Sequence, residues 1–262
     1  MMNWFQALIL GIVQGLTEFL PVSSSGHLEL GKAIFNLGTE DDMTFAVVVH
    51  GATVLSIIVV FFSELRSLLV NSLSFQWNAS SKYVVKLLIS MIPVAIVGLF
   101  FKDFVEQFFT GNVLFVGIML IVTSALLILT NFAKDKGREI SFIGSFIIGI
   151  AQAIAVLPGI SRSGATISTG LLLGNKKDEM AQFSFLMALI PIIGVNLLDV
   201  ISGDISTDNP SSFLPLAVGF LAAFLTGLIA CRWMIRIVKK GKLIYFGIYC
   251  LVIGIIAIIA GI

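Results

Sequence analysis

Twice in this chain an apolar run that reads as membrane helix is cut by a cluster of hydroxyls and ionisable groups. The first cut runs from Glu18 to His27, Glu-Phe-Leu-Pro-Val-Ser-Ser-Ser-Gly-His; the second runs from Pro158 to Thr166, Pro-Gly-Ile-Ser-Arg-Ser-Gly-Ala-Thr. A charged side chain at the bilayer centre costs about 2.5–3.5 kcal/mol on insertion scales, so Glu18 and Arg162 must face a partner, a cation or water. Broken backbone is tolerated at membrane depth only inside protein or beside a wet cavity. The two stretches therefore read as the tips of two re-entrant hairpins that meet within the protein.

Composition enters because it removes the soluble alternative. Hydrophobic residues make up 58% of the 262, charged residues only 12%, and the mean hydropathy is +1.06. A soluble domain is about a quarter charged, and too few polar residues remain here to cover a core. A net charge of +1 gives no footprint for nucleic acid. Cys231 and Cys250 lie in apolar spans and read as small hydrophobes. Met1–Gly15 has no basic region and leads into Thr17 and Glu18, which reads as retained structure rather than a cleaved signal.

In chain order the apolar stretches are Trp4–Leu20, then His27–Leu37 after the first cut, then spans at Thr44–Phe62, Tyr83–Phe101 and Val113–Thr130. Each span is near the ~20 residues needed to cross a bilayer. Glu64–Lys82 reads as a polar loop with an interfacial segment around Phe75 and Trp77. The order then starts again: Ile140–Leu157, the cut at Pro158–Ser163, Gly164–Leu173, and spans at Ala181–Ile201, Phe213–Trp233 and Leu243–Ile259. Pro93 and Pro191 mark expected kinks. At an offset of 138, Gly11, Ile12, Gln14, Ser23, Ser25, Gly26 and Phe45 fall on Gly149, Ile150, Gln152, Ser161, Ser163, Gly164 and Phe183.

The expected fold is an all-α polytopic membrane protein, one domain over 1–262, with internal repeats at about 1–130 and 139–262. Each half is one re-entrant helical hairpin plus three transmembrane helices. Three crossings is an odd number, so the second half is inverted relative to the first. The 63–82, 131–140, 174–180 and 232–242 loops, with Lys86, then carry thirteen Lys and Arg on one side, against Lys32 and Lys102 on the other. That bias places the first side in the cytoplasm and both termini outside. Arg162 belongs to neither side, and the tips meet near mid-membrane.

Gln14 and Glu18 are four apart and share a helix face. Glu18 suits a divalent-cation ligand, a general base or an orienter of His27; its structural alternative is an ion pair with Arg162. Ser23, Ser24 and Ser25 precede a helix that they can cap, with its free N–H groups and positive end turned to the site. A nucleophilic serine needs a nearby base. His27 lies about one turn beyond Ser24, and could deprotonate it or attack phosphorus itself. His50 reads as a hydrogen-bonded interior residue, with a place in the site as its lesser alternative. The guanidinium fork of Arg162 suits phosphate. Ser161 and Ser163 flank it, and a second helix start follows over Ser163–Thr166. These groups describe a pyrophosphate cradle that is not a nucleotide P-loop, since no GxxxxGK[ST] is present.

At these residues the chain resembles the bacterial undecaprenyl-diphosphate phosphatase family, the one associated with bacitracin resistance. The Glu/Gln-x-x-x-Glu motif is matched by Gln14 and Glu18, the serine-rich segment by Pro21–His27, and Pro-Gly-x-Ser-Arg-Ser-x-x-Thr by Pro158–Thr166. The resemblance implies a hydrolase of the bacterial inner membrane. It would remove the terminal phosphate of undecaprenyl diphosphate and recycle the cell-wall lipid carrier from a site reachable at the outer face. It further implies Mg²⁺ or Ca²⁺ as cofactor, Glu18 as metal or base residue, Ser24 or His27 as nucleophile or base, and Arg162 as phosphate clamp. Gln14, Ser23, Ser25, Ser161, Ser163 and Thr166 would bind substrate. Gln14 stands where some members carry a second glutamate, which leaves Glu18 with the substrate phosphates as the main cation ligands. The competing class is an inverted-repeat transporter or flippase for the same kind of lipid. The expected partners are the polyprenyl diphosphate and membrane lipids, and the sequence is compatible with a homodimer.

Overall fold

The computed structural model describes residues 2–37, 42–73, 76–101, 104–105, 107–109, 111–201 and 213–261. Phe75 and Lys102, invoked above for an interfacial segment and for the charge balance, lie outside them. The described helices are α1 (Trp4–Phe19), α2 (Ser24–Phe35), α3 (Asp42–Val60), α4 (Phe62–Ser72), α5 (Ala79–Phe100), α6 (Val113–Leu129), α7 (Phe142–Ile154), α8 (Arg162–Leu172), α9 (Lys177–Ile201), α10 (Phe213–Lys239) and α11 (Ile244–Gly261). Among the described residues the only β pairing is an isolated bridge between Arg138 and Asn175.

The helices start where polar caps stand. Asn3 and Gln6 form a reciprocal capping box at α1, and Asn78, Asn112 and Ser141 accept from the third residue of α5, α6 and α7. Caps also explain where the boundaries differ from those expected. Asn78 starts α5 at Ala79 rather than Tyr83. Ser23 starts α2 at Ser24 rather than His27, and Ser161 starts α8 at Arg162 rather than Gly164. The polar loop expected over 64–82 is instead helical from Phe62 to Ser72, bent 74° from the preceding helix. Its apolar residues recur at helical spacing, and Leu65 and Leu68 pack on the core while Arg66 stays exposed.

Five described segments are long and apolar enough to cross a membrane: α5, α6 with its 3₁₀ extension, α9, α10 and α11; the bent pair α3–α4 makes a sixth if counted as one span. The surface is apolar and the interior holds polar groups. Phe100, Ile143 and Phe213 are 75–76% exposed, whereas Gln14, Ser56, Ser90 and Ser145 are fully buried. This is the arrangement of a polytopic membrane protein, whose helices associate through small residues and side-chain hydrogen bonds.

The principal packings are α1 on α10, α7 on α5, α6 on α11, and α3 on α9 and α10. Where α6 crosses α11, a Cβ on Gly117 would come within 2.8 Å of the Gly254 carbonyl oxygen, and one on Gly254 within 2.9 Å of the Gly117 oxygen. Ser124 donates to the Gly247 carbonyl in the same seam at 2.6 Å, and Ser56 of α3 donates to Phe224 of α10 at 2.9 Å. The fully buried Phe45 lies over Gly219 of α10, and the fully buried Phe183 meets Tyr83 of α5 edge-on.

α1 with α2, and α7 with α8, are helical hairpins whose breaks abut. A Cβ on Gly26 would lie 3.0 Å from Gly159 Cα, and one on Gly164 would lie 3.3 Å from Pro21 Cβ. Gly159 takes φ +96° against the backbone of Val116, a place no side chain fits. Thr123 of α6 ties the second break down, donating to Gly159 O at 2.9 Å and accepting from Ser161 N at 3.0 Å. Cys250 of α11 donates to Pro21 O of the first break at 3.7 Å.

Candidate active site

The two breaks border a cavity of about 340 Å³. Its polar wall is Thr17, Glu18, Ser24, Ser25, His50, Gln152, Ser161, Arg162 and Asn196; its apolar wall includes Ala46, Val47, Val94, Val156, Pro191, Ile192 and Val195.

Glu18, on the last turn of α1, is the hub. Its Oε2 accepts from Ser24 Oγ at 2.6 Å and from Gln14 Nε2 at 3.0 Å. Its other oxygen pairs with Arg162, which comes from the opposite break. His50 Nε2 stands 3.9 Å from Oε2. The Glu18 side chain is 2% exposed and that of Arg162 24%, so the guanidinium is the reachable partner. A buried carboxylate held by a cation and two uncharged donors meets the condition for keeping charge at membrane depth.

The capping serines do the work expected of them. Ser23 Oγ accepts from Gly26 N at 3.2 Å and Ser161 Oγ from Gly164 N at 3.0 Å, so Ser24 and Arg162 are each the first residue of a helix whose N-terminus faces the breaks. Ser25 is 3.4 Å from Ser23, and Ser163 is 3.3 Å from Ser161 while donating to Leu20 O. Thr166 is fully buried one turn below Arg162, bonded to Arg162 O at 2.9 Å and to Ser184 at 2.6 Å, and does not line the cavity.

Glu18, Ser24, Ser25, Ser161 and Arg162 thus meet in one cavity, and Gln14 stands behind Glu18. His27 does not meet them. Its Nδ1 bonds Ser23 O at 2.9 Å, its Nε2 bonds Tyr249 Oη at 2.9 Å, and its ring stacks on that tyrosine. The imidazole beside Glu18 is that of His50, whose Nδ1 is fixed by Ala46 O at 2.8 Å. Gln152 was not among the expected site residues. It lines the cavity, is 2% exposed, and has both amide atoms without a partner. Its signal was the 138-residue offset from Gln14.

Comparison with known proteins gives the same region a family. The family model described as "Bacitracin resistance protein BacA" matches residues 7–256. The chain is 57% identical over 262 residues to the undecaprenyl-diphosphatase of Parabacteroides distasonis, covering 98% of each chain. It is 54% identical over 263 residues to that of Bacteroides fragilis, again covering 98% of each. With that of Methanococcus vannielii the identity is 40% over 258 residues, 96% of this chain and 98% of the relative. Matched along nearly its whole length, the chain belongs to the BacA bacitracin-resistance family.

Proposed function

We propose that the chain is an undecaprenyl-diphosphatase of the bacterial inner membrane, which hydrolyses the terminal phosphate of undecaprenyl diphosphate and leaves undecaprenyl phosphate for reuse in cell-wall synthesis. The observation that carries this reading is the Glu18 carboxylate held between a hydroxyl from one break and a guanidinium from the other. A carrier needs charge complementarity; it has no use for a hydroxyl bonded to a base.

In this reading the diphosphate enters with its first isoprene units against Val47, Val94, Ile192 and Val195. Arg162 turns from Glu18 to the terminal phosphate, where its fork binds two oxygens. Ser24 Oγ passes its proton to Glu18 and attacks the outer phosphorus in line. The bond from that phosphorus to the bridging oxygen breaks, and undecaprenyl phosphate leaves with the bridging oxygen. Water then attacks the phosphoserine, inorganic phosphate departs, and the proton held by Glu18 returns to Ser24. Arg162 and the N–H groups opening α2 and α8 meet the charge that develops on the phosphoryl oxygens. His27 is a positioning residue here: its bond to Ser23 O holds the residue before Ser24 in place.

The donor set fits a hard cation with few protein ligands. Beside Glu18, the buried Gln14 Oε1 has no partner, and a Mg²⁺-type ion needs only one or two protein oxygens when phosphates supply the rest. Glu18 would hold it together with the substrate phosphates, and Gln14, behind Glu18, would steady that carboxylate. When bound, such an ion neutralises phosphate charge.

The architecture we propose is the inverted repeat, over about 1–130 and 139–262. Its support is reciprocity: Gly26 against Gly159 mirrors Gly164 against Pro21, α1 on α10 mirrors α7 on α5, and Gly117 and Gly254 face each other's carbonyls. The basic loops gather at one end. Arg138 bridges Asn175, Lys176 reaches Glu139 at 3.7 Å, Trp77 stacks on Phe142, and Lys86 lies 5.8 Å from the Phe142 ring centroid. That end is cytoplasmic by the positive-inside rule, with both termini outside. The cavity wall includes Phe109, in the α5–α6 connection away from the basic end, which supports access from the outer face.

The test is phosphate release from undecaprenyl diphosphate by purified protein in detergent, with no gradient. Release with Mg²⁺ that stops with EDTA and returns on adding the ion is expected. Folded protein that leaves the substrate intact under both conditions belongs to the transporter class.

A further inference from the structure

A second cavity, of about 130 Å³, lies at the basic end and shares no lining residue with the first. Five pieces of chain enclose it. The 3₁₀ turn after α6 gives Thr130 and Asn131, and the following loop gives Ala133 and Asp135. The end of α8 gives Leu171, the α8–α9 junction gives Asn175 and Lys177, and the α10–α11 turn gives Lys240, Gly241 and Leu243. At about 30 Å³ per water it has room for roughly four waters, the scale of one phosphate group.

Its wall is built rather than incidental. α8 ends on Gly174 at φ +84°, with Gly174 N bonded to Leu171 O and Asn175 N to Gly170 O. The next residue is clamped from the other side, as Arg138 N donates to Gly174 O at 3.3 Å and Lys176 N to Arg138 O at 3.0 Å. Asn175 is thereby fixed in the wall, 5% exposed, and its Nδ2 has no hydrogen-bond partner. A buried amide donor that has given up water without gaining a partner is costly, so the site calls for an acceptor. The two cations at the cavity make no ion pair among the described residues, and Lys177 Nζ lies over Gly241, where an added Cβ would come within 3.2 Å of it. The one acid in the wall, Asp135, is turned into its own loop, accepting from Gly137 N at 2.9 Å.

We propose that this cavity is a phosphate-binding site distinct from the catalytic one, held by Lys177, Lys240 and Asn175. Its ligand is the phosphate of an anionic lipid headgroup or free inorganic phosphate. Basic pockets between helices on the cytoplasmic side of membrane proteins suit such headgroups, which places the lipid first. α8 links the two sites, with Arg162 at its first turn and Leu171 at its last. An occupant here therefore braces the helix that carries the catalytic guanidinium.

The test is thermal unfolding of the purified protein in a neutral detergent, with phosphatidylglycerol, inorganic phosphate or chloride added at matched ionic strength. The variants are Lys177→Gln/Lys240→Gln and, as a control at the same end, Lys239→Gln/Lys242→Gln, whose residues are exposed and outside the cavity. Wild type and control are expected to gain roughly 5 °C with phosphatidylglycerol, and the cavity variant to lose that gain. A gain with inorganic phosphate alone, also lost in the cavity variant, assigns the site to free phosphate. No gain in wild type with either ligand overturns the proposal, as does a gain that persists in the cavity variant. Hydrolysis of undecaprenyl diphosphate by both variants, measured in parallel, verifies that they are folded and is expected to stay within a few-fold of wild type.

Discussion

Ser24 and Arg162 stand 138 positions apart, each the first residue of a helix that follows a break, yet one is a neutral hydroxyl and the other a cation. They reach the two oxygens of a single carboxylate. Around them the frame is the same on both sides: Ser23 and Ser161 cap, and Gly26 and Gly164 allow the breaks to touch. The chemistry is divided. At the same offset Glu18 falls on Val156 and His27 on Ala165, so only the first break carries an acid and an imidazole. Backbone strain is divided too. Ser23 sits at φ 69°, ψ 97°, a conformation costing on the order of 1–3 kcal/mol for a residue with a side chain, whereas Ser161 is relaxed at φ −73°. The same frame constrains both breaks. Each break supplies what the other lacks, and the strain falls at the one that presents the hydroxyl.

Changing one side at a time sharpens this contrast. The largest loss is expected for Arg162→Ala, about 10³-fold in kcat by phosphate release, with little recovery in Arg162→Lys because the fork is gone. Ser24→Ala comes next at about 10²-fold or more, the scale of losing an activated group. His27→Ala is expected to lower kcat about tenfold, and Tyr249→Phe to reproduce part of the loss. If His27 acts by holding Ser23, both lower the pH–rate profile without changing its shape; a lost limb in His27→Ala alone would make it a base. Gln152→Ala removes the unpartnered amide that lines the cavity; one hydrogen bond from it to substrate is worth about 1 kcal/mol, so KM is expected to rise about fivefold with kcat unchanged. The smallest effects are on stability and differ in sign. Both Ser23→Gly and Ser161→Gly lose a cap, but Ser23→Gly also relieves the positive-φ strain and is expected to raise stability, while Ser161→Gly lowers it, each by about 1 kcal/mol or less.

The residues whose chemistry is expensive in hydrocarbon were readable from the sequence. Glu18 and Arg162 had to find each other or a ligand, and Ser23 and Ser161 stood where caps were needed. What the letters did not carry was rotation about the helix axis. His27 looked one turn from Ser24, but its ring swings to Tyr249, 222 residues away, while His50, read as interior, faces Glu18. Such choices are made by side-chain packing between distant helices. The helix α4 was missed because Glu64 and Arg66 made its segment look like a loop, although Leu65 and Leu68 already had the spacing of a packed face. Gln152 was legible through the offset that flagged Gln14, but an amide carries no charge to mark it as a cost.

The most direct test of the divided site is phosphate release from undecaprenyl diphosphate by Ser24→Ala and Arg162→Ala, one variant from each break, each verified by its unfolding midpoint to be folded. The account predicts that both lose at least a hundredfold against wild type. A folded Ser24→Ala or Arg162→Ala protein that releases phosphate at the wild-type rate would contradict it.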